Sequence, residues 1–289
     1  MSERAPRPPW QRFKAALDAA GFRPSKRLGQ NFLLDENTAR AIVEDAALPE
    51  AAHVVEVGPG CGFLSVHLAH AAGRLVCLEV DPRLVPVAAG FLEPYPHAEV
   101  LEADALAGKH ALGEGWERAV PAEGPWHLVA NLPYSISAPV LALVAGMERP
   151  PASFTVLVQE ELADRLGGSP GTADWGALTV AVQLSYRVRA GRRVPPGAFT
   201  PRPRVDSRLA HGVLREDLPG AEERSRVRVL AGALLQRRRQ MVRRVLGDHL
   251  GERSLAEAAL ERAGVDPEAR VQALDLAAWT RLEGALGAN

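Results

Sequence analysis

Asn131-Leu132-Pro133-Tyr134 sets an amide, a backbone carbonyl and an aromatic ring side by side, directly after the apolar run 126–130. Proline lacks an N–H and fixes its φ. Pro133 therefore holds the chain open between a strand and the helical pattern that begins near Ser137, which frees the Leu132 carbonyl to face a ligand. The Asn131 side-chain oxygen and that carbonyl can each accept a hydrogen bond from one amino group, and Tyr134 offers a face on which a planar base stacks. Such a set of groups suits the amine of a nucleobase. A related pattern is Phe199-Thr200-Pro201-Arg202-Pro203-Arg204-Val205-Asp206-Ser207, where two prolines stiffen a loop that sets one aromatic residue beside two arginines. A base lifted from a duplex needs a second stacking face, and stacking is worth about 1–3 kcal/mol per base. Phe199 is read as that face, with Arg202 and Arg204 as phosphate contacts.

The elements that must position these groups follow from the pattern upstream. Residues 53–57 read as a buried strand running into Glu56-Val57-Gly58-Pro59-Gly60-Cys61-Gly62, then a helix over 63–71. Strand, glycine loop and helix bring backbone and helix N–H groups close to a ligand. The G-x-G-x-G spacing departs from the G-x-G-x-x-G of dinucleotide sites, and so favours a nucleoside without a pyrophosphate. The next strand, 74–80, ends in Glu79-Val80-Asp81, and an acid at that distance from the glycines grips ribose hydroxyls. A third strand, 98–103, ends at Asp104, a second carboxylate at the same sheet edge, placed to accept from an adenine amine. Three successive strand-to-helix junctions thus each carry a group that a nucleoside needs. Ahead of them, Gly29-Gln30-Asn31-Phe32-Leu33 leads to Asp35, which reads as the N-cap of a helix through residue 45, a loop able to fold over a ligand.

Beyond the tetrapeptide the pattern gives a helix over 137–147, a strand over 154–159, a helix over 160–165, a glycine-rich loop through Gly171, a helix and a strand within 178–194, and a last strand over 207–215. Alternation of this kind predicts an α/β fold. From residue 218 the pattern is helical, with Gln236-Arg237-Arg238-Arg239-Gln240, Arg243 and Arg244 on one helix bordering an apolar stripe. Three segments are expected: an N-terminal arm over 1–25, partly ordered around a short amphipathic piece at 10–20; a catalytic domain over 26–216; and a helical domain over 217–289.

A chain of 289 residues with 47% apolar composition can bury a full core. No run of about 18 apolar residues occurs and the N-terminus carries proline and charge, so the expectation is a cytoplasmic protein with no membrane partner. Cys61 and Cys77 are the only cysteines, which gives neither a disulfide framework nor a metal centre. The net charge of −1 conceals a segregation: residues 182–244 hold sixteen arginines, no lysine and five acids. Such a segment can follow a phosphate backbone. No long exposed apolar stripe is left over once the helices pack, so a monomer is expected.

Taken together, Gly29-Gln30-Asn31-Phe32-Leu33, Glu56-Val57-Gly58-Pro59-Gly60, Leu78-Glu79-Val80-Asp81, Asp104-Ala105, Asn131-Leu132-Pro133-Tyr134, Gln159-Glu160, Phe199-Thr200-Pro201 with Val205-Asp206-Ser207, and Gln236-Arg237-Arg238 resemble the ribosomal RNA adenine dimethyltransferase family, close to its bacterial 16S branch. The resemblance runs from about residue 26 to 286. It implies a Rossmann-like methyltransferase sheet with a smaller C-terminal α-helical domain. It also implies S-adenosylmethionine as donor without a metal, held by Gln30, Asn31 and Leu33, by Gly58 and Gly60, by Glu79 on the ribose, by Asp104 on the adenine and by Asn131 near the reacting end. The implied catalytic set is Asn131, Leu132, Pro133, Tyr134 and Phe199. The implied reaction is dimethylation of two adjacent adenosines near the 3′ end of 16S rRNA within an immature small ribosomal subunit, which Arg202, Arg204, Arg237, Arg238, Arg239 and Arg243 would contact. One departure is Trp175-Gly176-Ala177, where the family usually carries a basic residue. Two alternatives share the fold: a 23S rRNA adenine methyltransferase, disfavoured by Leu132 where that group carries isoleucine, and a ribosome assembly factor without catalysis, disfavoured by the intact tetrapeptide.

Overall fold

Short apolar runs alternate with helical stretches over most of the chain, and the computed structural model, which describes residues 8–25, 29–33, 35–108 and 110–287, resolves them into helices and strands in that order. The expected starts of the arm at residue 1 and of the catalytic domain at residue 26 lie outside the described residues, as does the end at 289. The elements are α1 (Trp10–Ala19), β1 (Phe32–Leu33), α2 (Glu36–Ala46), β2 (His53–Val57), α3 (Phe63–Ala71), β3 (Arg74–Glu79), α4 (Val85–Leu92), β4 (Ala98–Glu102), α5 (Gly115–Ala119), β5 (Trp126–Asn131), α6 (Ser137–Ala145), β6 (Ser153–Gln159), α7 (Glu160–Leu166), α8 (Ala177–Gln183), β7 (Tyr186–Val194), β8 (Phe199–Thr200), β9 (Ser207–Leu214), α9 (Ala221–Leu234), α10 (Val242–Leu250), α11 (Arg253–Ala263) and α12 (Leu276–Gly287).

Seven strands form one sheet in the order β4-β3-β2-β5-β6-β9-β7, and β1 pairs separately with β8. Strands β2 to β6 pair in parallel, with β9 antiparallel to β6. Val54, Val55 and Val57 of β2 and Leu128, Val129 and Ala130 of β5 are buried, the near-continuous apolar run of strands covered on both faces. The chain steps outward from β2 to β3 and β4, then returns to the other side of β2 with β5. The strand order reverses there, and in open α/β sheets a crevice at the carboxyl ends of the strands forms at such a reversal. Glu79 and Asn131 end strands at this edge, and the Gly58 loop and Asp104 follow strands that end there.

Asp35 caps α2 as expected, its carboxylate accepting from the Thr38 N–H at 2.6 Å. The N-terminal arm departs from expectation. α1 is an ordered helix whose Phe13 is buried, stacked on Phe91 at 3.9 Å and edge-on to Phe63 at 5.2 Å. Its apolar stripe is part of the main core because those aromatic rings offer it a surface.

By its contacts the chain groups into two units: Met1–Val144 with Pro151–Ala163 and Arg189–Val213, and Ala145–Pro150 with Asp164–Val188 and Leu214–Asn289. The second unit thus includes a stretch from the middle of the chain, unlike the single cut after residue 216 expected from the sequence. Its core gathers Trp175, Leu184, Leu234, Leu246, Leu260 and Trp279. Gln236 to Gln240 do not lie on one continuous helix with Arg243. α9 ends at Leu234, a 3₁₀ turn covers Leu235–Arg237, and Met241 is extended before α10. The cause is tertiary: the Arg238 and Gln240 carbonyls accept from the Gln272 and Val271 N–H groups, and the Val242 N–H donates to Ala269. Those bonds replace the helical ladder that the apolar spacing alone would have continued.

Candidate functional site

The carboxyl edge of the sheet opens a cleft in the first unit. Gln30, Asn31, Leu33, Gly58, Gly60, Glu79, Asp104 and the whole tetrapeptide from Asn131 to Tyr134 border it. Four strand ends and one preceding loop therefore bring together residues scattered over a hundred positions of sequence.

The glycines are required by contact. Gly58 has φ +70°, and a Cβ there would meet the Pro133 ring at 3.1 Å; Gly60 has φ +60°, and a Cβ would lie 2.9 Å from the Phe32 ring. Left-handed backbone and absent side chains keep the loop against its neighbours and the cleft open beside it. Glu79 is only 3% exposed. Its two oxygens accept from the Gly60 and Asp81 N–H groups, each at 2.9 Å. Burial nevertheless lifts its carboxyl to about 7, the backbone donors offsetting part of that rise. A buried carboxylate of this kind gains from further donors such as a sugar diol. Asp104 is exposed at the cleft edge, and its Oδ1 accepts from the Leu106 N–H at 2.9 Å.

On the reacting side, Asn131 Nδ2 donates to the Asn31 carbonyl at 3.2 Å. This fixes the amide orientation and reserves Oδ1 as the acceptor. The Leu132 N–H is used by the Leu157 carbonyl, while the contact from Ser137 Oγ to the Leu132 carbonyl is long at 3.5 Å. Ser137 Oγ bonds Pro133 O better, at 2.9 Å, so the Leu132 carbonyl retains acceptor capacity. The Tyr134 hydroxyl is hydrogen-bonded to Ser207 Oγ at 2.6 Å, which pins the ring from its polar end.

Phe199 corrects the sequence reading. It is 3% exposed, sits in the main hydrophobic core and does not border the cleft. Strand β8 places it opposite Leu33 of β1, and that pairing turns the ring inward; Phe199 supports the loop that carries Asn31 rather than presenting a stacking face. Arg202, Arg204 and Arg239 are exposed, with no hydrogen-bond or ion-pair partner among the described residues. Three other arginines are committed within the second unit. Arg238 donates to the Thr172 and Ala173 carbonyls and to Gln272, clamping a loop, so it is a structural residue first. Arg237 pairs with Asp248 at 2.6 Å and Arg243 pairs with Glu268.

The sequence reading assigned no role to Phe32, Glu56 or Ser207. Glu56 is fully buried at the cleft wall, its carboxyl lifted to about 7 by desolvation. The signal for it was an acid inside an otherwise apolar strand. Ser207 had none, because its partner Tyr134 is distant in sequence.

The model of the family described as ribosomal RNA adenine dimethylase matches residues 21–286. A ribosomal RNA small subunit methyltransferase A from Geobacillus thermodenitrificans is 35% identical over 95% of this chain and 95% of its own length. The protein of the same name from Shouchella clausii is 35% identical over 95% and 94%. Among solved structures, a dimethyladenosine transferase from Plasmodium falciparum superposes with a TM-score of 0.72 at 21% identity, covering 87% of this chain and 95% of that one. The 23S rRNA methyltransferase ErmE gives 0.63 at 28% identity, covering 89% and 99%.

Proposed function

The chain belongs to the ribosomal RNA adenine dimethylase family, and from that premise we propose that it uses S-adenosylmethionine to dimethylate the exocyclic N6 amines of two adjacent adenosines near the 3′ end of 16S rRNA, during maturation of the small subunit. The observation that carries this reading is the meeting of the glycine loop, Glu79 and Asp104 with Asn131 and Tyr134 around one cleft. The residues present fit the donor: two glycines whose Cβ atoms would crowd the loop, and a buried carboxylate with acceptor capacity for a ribose.

When bound, the donor supplies an electrophilic methyl group on a sulfonium. An adenine amine is a poor nucleophile because its lone pair is delocalised into the ring. Asn131 Oδ1 and the Leu132 carbonyl accept its two hydrogens and turn that pair toward the donor side, while Tyr134 holds the base plane. Positioning and preorganised acceptors supply the rate. The proton left on the product amine passes to solvent. Arg202, Arg204 and Arg239 are assigned to rRNA phosphates, an interaction that weakens steeply with salt. The protein is proposed to act as a cytoplasmic monomer; no described helix is long and apolar enough to cross a membrane.

The test is to incubate the protein with labelled S-adenosylmethionine and small subunits from cells lacking this methylation, then map modified bases by mass spectrometry. Two dimethyladenosines near the 16S 3′ end are expected. Label in 23S rRNA would replace the reading with an ErmE-like one, and tight subunit binding without transfer would replace it with a non-catalytic assembly role. In the same assay Ser207→Ala, which frees the Tyr134 hydroxyl, is expected to lower kcat/KM for subunits about fivefold, the worth of one hydrogen bond. Tyr134→Phe should do the same, and the double variant should lose no more than either.

A further inference from the structure

Asp81 lies two residues past the end of β3, and its side chain is only 2% exposed. Oδ2 accepts from Gln30 Nε2 at 2.9 Å and from Arg83 Nη2 at 2.7 Å. Oδ1 accepts from Arg83 Nε at 2.9 Å and from the Arg83 backbone N–H at 3.1 Å. The Asp81 backbone N–H faces the other way and donates to Glu79 Oε1, while Glu79 Oε2 takes the Gly60 N–H. One residue thus joins the ribose-side carboxylate to the loop that carries Gln30, Asn31 and Leu33. A second path closes the circuit: the Arg83 guanidinium lies 4.8 Å from the centre of the Phe22 ring, Phe22 is edge-on to Phe32 at 5.6 Å, and Phe32 occupies the space beside Gly60. The stretch between α1 and β1 has no regular secondary structure over its described residues 22–25 and 29–31, so side-chain ties of this kind hold it.

The geometry points to Asp81 as a positioning residue for the donor: its carboxylate latches the Gln30 loop and Arg83 across the cleft rim, while its backbone holds Glu79 toward the ribose. An exposed Arg–Asp pair by itself would contribute little. Here the carboxylate accepts four N–H groups in a buried position, which also keeps its own pKa down at about 2, Arg83 being the main cause and Gln30 a lesser one. The latch is therefore charged throughout the working pH range. Asparagine matches aspartate in shape but offers one acceptor oxygen and turns an amide N–H toward Gln30 or Arg83, so it breaks one arm of the latch without emptying the space.

This inference rests on the donor reading of the cleft, and its test separates the two. In the methylation assay Asp81→Asn is expected to raise KM for S-adenosylmethionine about tenfold with kcat at saturating donor within about twofold, because a loosened rim lowers occupancy while bound donor re-closes the loop that anchors Asn131. Arg83→Met, at a half-exposed position where folding is not at risk, should show the same split at about threefold. Amide hydrogen exchange across residues 22–33 of the donor-free protein should quicken in Asp81→Asn. A KM within twofold of wild type in both single variants, or kcat falling with KM unchanged, would overturn the proposal, as would an unaltered exchange rate at 22–33. Should calorimetry find that the wild-type protein does not bind S-adenosylmethionine, the donor reading fails, and the exchange measurement alone decides whether Asp81 latches the loop.

Discussion

Asn131→Ala is expected to lower the single-turnover rate of methyl transfer, at saturating donor and subunit, about a thousandfold, a loss that excess donor does not restore. Asn131 Oδ1 is one of two acceptors assigned to the adenine amine, and the loss of one preorganised acceptor at a reacting group costs about 10² to 10³ in rate. The substitution also removes the Nδ2 bond to the Asn31 carbonyl, which ties the reacting side to the loop that walls the donor cleft. Asn131→Asp separates the two contributions. It keeps an acceptor oxygen but sets a carboxylate oxygen against the Asn31 carbonyl, so the side chain must rotate away, and the rate should fall at least a hundredfold. Rapid-quench assays with labelled donor measure both. A loss under tenfold in either variant would remove Asn131 from the catalytic set and leave the Leu132 carbonyl with Tyr134 to orient the base.

The parts of the site that were legible in the sequence are those whose cause is local. Gly58 and Gly60 stand where a strand must turn into a helix against a neighbour, and positive φ with no side chain is a requirement that a residue type reveals. Glu79 and Asn131 each end an apolar run and Asp104 lies just past a strand, and a parallel sheet brings its strand ends to one edge, so type and position together placed them. The failures share a non-local cause. Phe199 between prolines and arginines carries the same signature whether it faces a base or the core, and its pairing with Leu33 decides the matter. The arginines after Leu235 keep a helical apolar spacing, yet residues 269–272 capture the backbone groups that would have continued the helix. The amphipathic piece at the N-terminus was visible, but the Phe63 and Phe91 rings that order it belong to elements far along the chain. Asp81 stands in the sequence as one more acid beside Glu79, and nothing in its neighbourhood shows that Gln30 returns to it.

Glu79 gives the second large effect, and it carries a pH signature. Buried, it titrates near 7 instead of in the ordinary carboxylate range. Between the unfolded value and 7 the folded, donor-free protein binds the proton more tightly than the unfolded chain does. Its contribution to stability is therefore present at low pH and lost as pH rises through 7. Donor binding runs in the opposite sense, because ribose hydroxyls and a cationic sulfonium both favour the ionised carboxylate. Affinity for S-adenosylmethionine should thus rise about tenfold from pH 6 to pH 8. Glu79→Gln removes the charge and can accept only one of the two backbone N–H groups that now hold the glycine loop. It should weaken binding at pH 8 about a hundredfold, as expected when a charged acceptor and one of its bonds are lost together. The donor's own amine also titrates in this window, so the informative quantity is the ratio of wild-type to variant affinity, in which that ionisation cancels. The ratio should grow about tenfold between pH 6 and 8. Glu56→Gln, which neutralises the neighbouring buried carboxyl, tells which acid sets the slope: the ratio of Glu56→Gln to Glu79→Gln affinity should still grow about tenfold between pH 6 and 8. Calorimetric titrations at three pH values suffice, and an affinity ratio independent of pH would mean that the ribose-side carboxylate does not take part in holding the donor.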